Sequence, residues 1–122
     1  MPKTILIVED DVLSMKLATD VLQAHGYSKI LQSVDGKDAL ELAREHYPDL
    51  IIMDIRLPKV SGVEHLKALK ADAALRDIPV MAVTAFAFKG DEERFFEAGF
   101  DGYVSKPISI PHFLDTVEKL MK

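Results

Sequence analysis

The chain of 122 residues has the length of one domain, and its 48% hydrophobic residues suffice for a core. The net charge of −5, without a basic stripe, argues against a nucleic-acid-binding surface. The absence of cysteine excludes disulfides and thiolate metal sites. We find no signal peptide and no apolar stretch approaching ~20 residues, so we expect a soluble cytoplasmic protein without membrane insertion.

Short apolar runs alternate with helix-like segments along the chain. The strongest run, Leu50–Asp54 (LIIMD), is typical of a strand buried on both faces. Other short apolar runs, some of them weaker, predict further strands at Thr4–Val8, Lys29–Ser33, 79–84 and Gly102–Ser105. Helical spacing predicts helices over 12–25, 37–46 and 89–97, and two more that begin after Ser61 and after Ser109. This alternation implies one α/β domain over 1–122, with a parallel sheet covered by helices on both faces.

Polar residues and glycines mark the predicted helix ends. Gly26 follows the first helix as a C′ residue would, and Asp35 is expected to cap the second helix. Ser61 and Glu64 have the spacing of a capping box, and Ser109 is a suitable cap for the last helix. These residues set the expected lengths of the connections between strands and helices.

Residues suited to phosphoryl chemistry stand at the ends of the strong strands. They are Glu9 and Asp10 after the first strand, Asp54 in the third, Thr84 in the fourth and Lys106 after the fifth. Because the carboxyl ends of parallel strands share one edge, we expect these side chains to converge. Three carboxylates repel one another unless a cation lies among them, and oxygen ligands without His or Cys favour Mg²⁺. Asp54 could then attack a phosphoryl donor while Lys106 neutralises the developing charge.

The chain resembles the receiver domains of bacterial response regulators over essentially its whole length. The matching segments are ILIVED (5–10), DLIIMDIRLP (49–58), SG (61–62), VTA (83–85) and YVSKP (103–107). Each segment alone is weak, but their order and spacing together are specific. The resemblance implies a flavodoxin-like, CheY-like sheet with strand order 2-1-3-4-5 and five helices.

The resemblance also implies which residues react and which respond. Asp54 would be the phospho-acceptor, and Lys106 would contact the phosphoryl group. Thr84 and Tyr103 would form a switch pair, in which the Thr84 hydroxyl donates a hydrogen bond to the new phosphoryl group. The peptide bond between Lys106 and Pro107 is expected to be cis.

The metal ligands follow from the same resemblance. Glu9 and Asp10 would hold Mg²⁺, with Asp10 the more direct ligand. The carboxylate of Asp54 and the backbone carbonyl of Arg56 would complete the protein ligands. Asp11 lies one residue beyond the acidic pair and is expected to cap the first helix.

Among receivers, the chain resembles the stand-alone DivK type in segments 83–94 (VTAFAFKGDEER) and 105–120 (SKPISIPHFLDTVEKL). We find no output domain, so we expect signalling through binding to another protein. The resemblance implies sensor histidine kinases or histidine phosphotransferases as phosphoryl donors and regulated partners, in control of division or development. We expect a monomer or a weak dimer that is recruited to membrane-bound kinases.

Aromatic residues crowd the region of the fourth helix. They are Phe86, Phe88, Phe95, Phe96 and Phe100, and they cannot all face the core. Either most of them are buried, or some form an exposed patch that docks a partner. We favour a partner face on the fourth helix, fifth strand and fifth helix that includes Phe86, Phe88, Tyr103 and Pro107. The charged run 91–94 is expected to be a solvated helix face.

Three positions of the chain differ from the patterns of related or competing protein classes. Chemotaxis regulators commonly carry a glutamate where this chain has Phe86, which leaves open how readily water reaches the site. A phosphatase of the haloacid dehalogenase type commonly carries a second aspartate where this chain has Arg56, and it would need a cap domain. A flavodoxin-like cofactor binder would need a phosphate-cradling loop where the chain has Glu9, Asp10 and Asp11. We therefore expect a switch that catalyses only its own phosphoryl transfer and dephosphorylation.

Overall fold

The computed structural model describes residues 3–57, 61–85 and 91–121. In these residues, strands β1 to β5 span Thr4–Val8, Lys29–Ser33, Leu50–Asp54, Val80–Thr84 and Gly102–Ser105. Helices α1 to α5 span Val12–Ala24, Ala39–His46, Gly62–Ala71, Asp91–Ala98 and Ile110–Leu120. The predicted alternation of strands and helices is confirmed. None of the described helices is both long enough and apolar enough to cross a lipid bilayer.

The five strands form one parallel sheet in the order β2-β1-β3-β4-β5, as predicted. Strands β1, β3 and β4 are buried along their whole length, which explains their unbroken apolar runs. Val8 lies opposite Met53, and Asp54 lies opposite Val83, so these three strands end at the same edge. The residues that follow them are thereby brought together.

Side chains that alternate along the strands fill two separate cores. Ile51 belongs to the core beneath α2, α3 and α4, whereas Ile52 belongs to the core beneath α1 and α5. The sheet is therefore covered by helices on both faces, and the residues at the carboxyl ends of its strands gather at one edge.

Helix α1 begins and ends as the sequence predicts. The Asp11 carboxylate accepts hydrogen bonds from the Ser14 N–H (3.0 Å) and the Ser14 hydroxyl (2.7 Å). Gly26 has φ +104°, and the Tyr27 N–H donates to the Leu22 carbonyl at 3.0 Å, as in a Schellman motif. Asp11 is thus fixed at the start of the helix that flanks the acidic edge.

The prediction that Asp35 caps α2 is wrong. The helix begins later, with Asp38 in the cap position and no hydrogen bond from its side chain to the helix. Asp35 instead closes a local turn by accepting from the Lys37 N–H at 3.0 Å. The Asp38 carboxylate accepts from the buried Ser33 hydroxyl at 2.6 Å, which fastens this turn to β2.

The other two predicted caps differ in outcome. At the start of α3, the Ser61 hydroxyl accepts from the Glu64 N–H at 3.3 Å, so this bond of the capping box is confirmed. Ser109 holds the cap position of α5, but its side chain makes no capping hydrogen bond.

Candidate functional site

Three carboxylates meet at the open edge of the sheet. Glu9 follows β1, Asp54 ends β3, and each of Glu9, Asp10 and Asp54 offers an oxygen within 4.8 Å of the others. The Glu9 N–H donates to the Ser33 carbonyl at 3.0 Å, which continues the pairing of β1 with β2 beyond the strand. Glu9 and Asp54 are each 5% exposed, whereas Asp10 is exposed to solvent. The predicted convergence of these three side chains is therefore present.

Lys106 supplies positive charge to this acidic cluster. Its Nζ lies 2.7 Å from Glu9 Oε1 and 3.4 Å from Asp54 Oδ2. The Lys106 N–H donates to the Thr84 carbonyl at 2.8 Å, which holds the residue beside the end of β4. The peptide bond to Pro107 is cis, as predicted.

Two groups of this site, the Glu9 carboxyl and the Lys106 ammonium, have shifted pKa values. Burial and a hydrogen bond with Asp54 raise the pKa of Glu9 from 4.5 to about 7, although Lys106 acts in the opposite direction. Burial lowers the pKa of Lys106, but its hydrogen bond with Glu9 and the nearby charge of Asp54 outweigh burial, so the net direction is upward. Lys106 therefore carries its positive charge at neutral pH.

The Asp54 carboxylate is oriented by the chain that follows it. Asp54 Oδ1 accepts from the Arg56 N–H at 3.1 Å. The Ile55 N–H donates to the Val83 carbonyl at 3.0 Å, and the Ile55 carbonyl accepts from the Gly62 N–H at 2.9 Å. A Cβ atom on Gly62 would lie 2.4 Å from the Asp54 carbonyl oxygen, so only glycine permits this approach. The sequence shows the Ser-Gly pair, but not the contact that requires it.

Two members of the acidic cluster, Asp10 and Asp54, line an open cleft of about 800 Å³. Its lining includes Asp10, Asp54, Arg56, Ser61, Ala85 and Lys106. The carboxylate that ends β3 is therefore reachable from solvent although its residue is almost fully buried.

The donor atoms at this edge suit a hard divalent cation. All three are carboxylate oxygens, two of them from buried residues, and their mutual distances allow one ion to contact them together. Oxygen donors of this kind fit Mg²⁺. The roles of Glu9, Asp10, Asp54 and the Arg56 carbonyl as ligands stay predictions.

The predicted switch residues lie further along the sheet. Thr84 is buried at the end of β4, and Tyr103 is half-buried in β5, opposite Ala82. The Tyr103 ring stacks on Phe95 of α4, with ring centroids 5.6 Å apart and an angle of 30° between the planes. The sequence singled out Tyr103 but not this partner, because helical spacing alone does not assign one ring to another. Their roles as a switch pair stay predictions.

The aromatic cluster near α4 is partly buried and partly exposed. Phe95 and Phe100 belong to the core, whereas Phe96 is 44% exposed. Phe86 and Phe88, which we expected on a partner surface, lie outside the described residues. Pro107, the remaining member of that surface beside Tyr103, is exposed.

Known proteins with this sequence pattern are response regulators. The family described as response regulator receiver domain matches residues 5–118. The polar-differentiation response regulator DivK of Brucella anthropi is 56% identical over 121 residues, covering 99% of this chain and 98% of the relative. The protein of the same name from Brucella ovis is 55% identical over the same coverage.

Solved structures agree with this assignment. A response regulator structure from Chloroflexus aurantiacus has a TM-score of 0.92 and 27% identity, covering 99% of this chain and 98% of that one. The receiver domain of a sensor histidine kinase from Pseudomonas aeruginosa, described with a magnesium ion coordinated in its active site cleft, has a TM-score of 0.89 and 29% identity, with the same coverage. The chain therefore belongs to the response regulator receiver domain family, and it is similar over nearly its full length to DivK polar-differentiation response regulators.

Proposed function

We propose that this chain is a phosphorylation-dependent signalling switch in which Asp54 accepts a phosphoryl group from a phosphohistidine of a partner protein. The observation that carries the proposal is the placement of the Asp54 carboxylate. It reaches an open cleft, has two further carboxylates within 4.8 Å and lies 3.4 Å from the Lys106 ammonium. A sensor histidine kinase or a histidine phosphotransferase would be the donor.

The transfer requires Asp54 to act as a nucleophile. A carboxylate oxygen of Asp54 attacks the phosphorus atom, a P–O bond forms, and the P–N bond to the donor imidazole breaks. The leaving imidazole nitrogen keeps the bonding electron pair and takes up a proton. The Arg56 N–H orients the carboxylate through Oδ1, and the Lys106 ammonium stabilises the negative charge on the phosphoryl oxygens.

Glu9, Asp10 and Asp54, with the Arg56 carbonyl, would hold Mg²⁺ at this site. When bound, the ion supplies charge neutralisation for the donor phosphoryl group and aligns it for attack. The chemistry of the donor oxygens supports this assignment, and so does the magnesium ion described for the similar Pseudomonas aeruginosa receiver domain.

The residue two positions after Asp54 argues against an enzyme of the haloacid dehalogenase type. Such enzymes commonly carry a second aspartate there, and this chain has the exposed Arg56 instead.

The surface beside the cleft suits a protein donor. Ser14 of α1 lines the cleft, and the neighbouring Val12 and Leu13 are 74% and 76% exposed. Neighbouring apolar side chains that are both exposed form a patch, and such patches can mark a contact surface for another protein. We infer that the donor protein packs against this end of α1 while its phosphohistidine enters the cleft.

The response to phosphorylation would pass through Thr84 and Tyr103 to the face formed by α4, β5 and α5. A hydrogen bond from the Thr84 hydroxyl to the phosphoryl group exists only after transfer, so it can shift a conformational equilibrium. The phosphorylated form would then bind and regulate protein partners, including kinases. The name of the Brucella relatives supports a role in cell division or polar development.

The proposal is tested by the intact mass of the protein after incubation with acetyl phosphate and Mg²⁺. We expect one phosphoryl adduct on the wild type, none on Asp54→Asn and none in excess EDTA. Asp77→Asn, which changes an exposed aspartate away from the cleft, is the matched control and should be labelled like the wild type. If acetyl phosphate gives no adduct, a phosphorylated histidine kinase replaces it as donor. An adduct on Asp54→Asn equal to that on the wild type, or no adduct from either donor, would contradict the proposal.

A further inference from the structure

The side chains that the structure describes on helix α4 include one that packs into the core. Among residues 92–98, whose side chains the structure describes, only Phe95 is buried, and the others are exposed. The helix contains four acidic residues and one basic residue, which favour solvent over the sheet. Its position on the sheet therefore depends strongly on what the Phe95 ring touches.

One contact of Phe95 belongs to the end of the helix itself. The Phe100 N–H donates to the Phe95 carbonyl at 3.1 Å, and the Gly99 N–H donates to the Phe96 carbonyl at 3.1 Å. With Gly99 at φ +116°, this is a Schellman motif, in which an apolar contact between the same two positions is common. The Phe95 and Phe100 rings make that contact edge to face, at 5.9 Å and 84°. This pair closes α4.

The second contact of Phe95 joins α4 to the sheet. The Phe95 ring stacks on the Tyr103 ring of β5, at 5.6 Å and 30°. Tyr103 is half-buried, so its ring lies at the border between core and solvent. A movement of Tyr103 would remove the surface on which Phe95 rests.

We propose that Phe95 is a positioning residue that couples helix α4 to Tyr103, so that α4 is held more firmly on the sheet while the two rings stack. No other side chain among residues 92–98 is buried to replace this contact. When the stack opens, the exposed side of α4 would change its position relative to the sheet. This side carries Phe96 beside Glu92, Glu93 and Glu97. The link from phosphorylation to Tyr103 rests on the proposed function, whereas the coupling between the two rings does not.

The coupling is measured by backbone hydrogen exchange of α4 in the full chain. The variants are Phe95→Leu, Tyr103→Leu and the double variant. We expect each single change to speed exchange of the α4 amides about three- to tenfold relative to amides of β1, which report on the whole fold. The double variant should exchange about as fast as the faster single variant, because both changes remove the same contact.

Matched variants separate stacking from simple loss of volume. Phe95→Tyr keeps an aromatic ring on Tyr103 and should exchange nearly like the wild type. Phe100→Leu removes a buried ring that contacts Phe95, so its effect should multiply with that of Tyr103→Leu. If Phe95→Leu does not fold, Phe95→Met takes its place. An unchanged α4 in Tyr103→Leu, or effects of Phe95→Leu and Tyr103→Leu that multiply, would overturn the proposal.

A second measurement compares α4 before and after labelling with acetyl phosphate and Mg²⁺, with the adduct followed by intact mass. We expect Phe95→Leu to form the adduct like the wild type. Exchange in α4 should change on labelling in the wild type and hardly change in Phe95→Leu. An equal change in both proteins, or none in labelled wild type, would contradict the coupling. Absence of the adduct would count against the proposed function instead, and the double-variant comparison would still test the stack.

Discussion

Glu9 shows how burial of one residue links the site to the stability of the fold. Its pKa is raised from 4.5 to about 7 by burial, with a further contribution from Asp54. A carboxyl group with a raised pKa in the folded state binds protons more strongly there than in the unfolded chain. Its contribution to stability is complete below about pH 4.5 and is lost as the pH rises through about 7. The ionised form that a metal requires is therefore the form that destabilises the fold without metal.

We predict that Glu9→Gln removes this pH dependence. Between pH 4.5 and pH 8 in EDTA, the free energy of unfolding of the wild type should fall by about 3 kcal/mol relative to Glu9→Gln. Urea unfolding at several pH values measures this difference. Glu45→Gln, which changes an exposed glutamate, should follow the wild type. Parallel curves for wild type and Glu9→Gln would contradict the raised pKa of Glu9.

Gly62 illustrates a residue whose role is visible only in three dimensions. A Cβ on Gly62 would lie 2.4 Å from the carbonyl oxygen of Asp54 and 2.9 Å from Ile55 Cα, and both are backbone atoms. At Gly102, by contrast, the nearest atom is the Leu120 methyl Cδ1 at 2.7 Å, which belongs to a flexible side chain. The same added methyl group must therefore move the backbone at Asp54 in one case and a remote side chain in the other.

We predict that Gly62→Ala slows labelling by acetyl phosphate about tenfold or more, because it shifts the backbone that carries the Asp54 carboxylate. Gly102→Ala should cost about 1–3 kcal/mol of stability through overpacking and leave the labelling rate near that of the wild type. Labelling time courses and urea unfolding of both variants test this contrast. Equal labelling rates for both variants would argue against the close approach at Gly62.

At the scale of elements, the start of α1 is the docking surface that we propose for a protein donor. Leu13 is 76% exposed next to the cleft, whereas Tyr47 is 59% exposed at the end of α2, on the opposite edge of the sheet. We predict that Leu13→Ala slows transfer from a phosphorylated histidine kinase about tenfold, as expected when a well-packed contact residue is truncated. Labelling by acetyl phosphate should stay nearly unchanged.

Tyr47→Ala is the control for loss of an exposed apolar side chain, and it should leave both reactions at the rate of the wild type. The measurement is the rate of loss of phosphoryl from the kinase compared with the rate of adduct formation from acetyl phosphate. If Leu13→Ala slows both reactions equally, Leu13 contributes to the chemistry in the cleft and not to the docking of the donor protein.

The elements also show where sequence reasoning succeeds and where it fails. Strands β1, β3 and β4 could be predicted because they are buried on both faces, so nearly every residue is apolar. The start of α2 could not, because Asp35 and Asp38 are both suitable caps. The difference between them depends on the Ser33 hydroxyl, which binds Asp38 across the turn. The preferences of single residues for helix caps take no account of such a hydrogen bond.

At the functional site, too, some features could be predicted from the sequence and others could not. The convergence of Glu9, Asp54 and Lys106 follows from the parallel order of the strands, which the alternating pattern predicts. The stack of Phe95 on Tyr103 depends on the directions of two rings from different elements, which no spacing encodes. The sequence therefore predicts which chemical groups gather at the edge, but not which neighbours hold them in place.

For the whole molecule, the acidic edge places negative charges close together in a protein that already carries a net charge of −5, so these charges repel one another. Three carboxylates lie within 4.8 Å of one another, and the Lys106 ammonium offsets part of their repulsion. A divalent ion bound there would contact groups from the ends of both β1 and β3. Such an ion binds the folded chain and not the unfolded one, so it should raise the stability of the entire domain.

We therefore predict that Mg²⁺ raises the melting temperature of the wild type by about 10 °C when the free ion exceeds its dissociation constant a hundredfold. Asp10→Asn should lose most of this shift, and because Asp10 is exposed, the substitution leaves the core intact. Asp77→Asn, which lies before β4 at the other end of the strands, should keep the full shift. The shift of the wild type should also remain when NaCl of equal ionic strength serves as the reference. Thermal unfolding with and without Mg²⁺ measures these shifts. An equal shift in Asp10→Asn would mean that the ion acts through general screening, since only binding at the cluster depends on that one carboxylate.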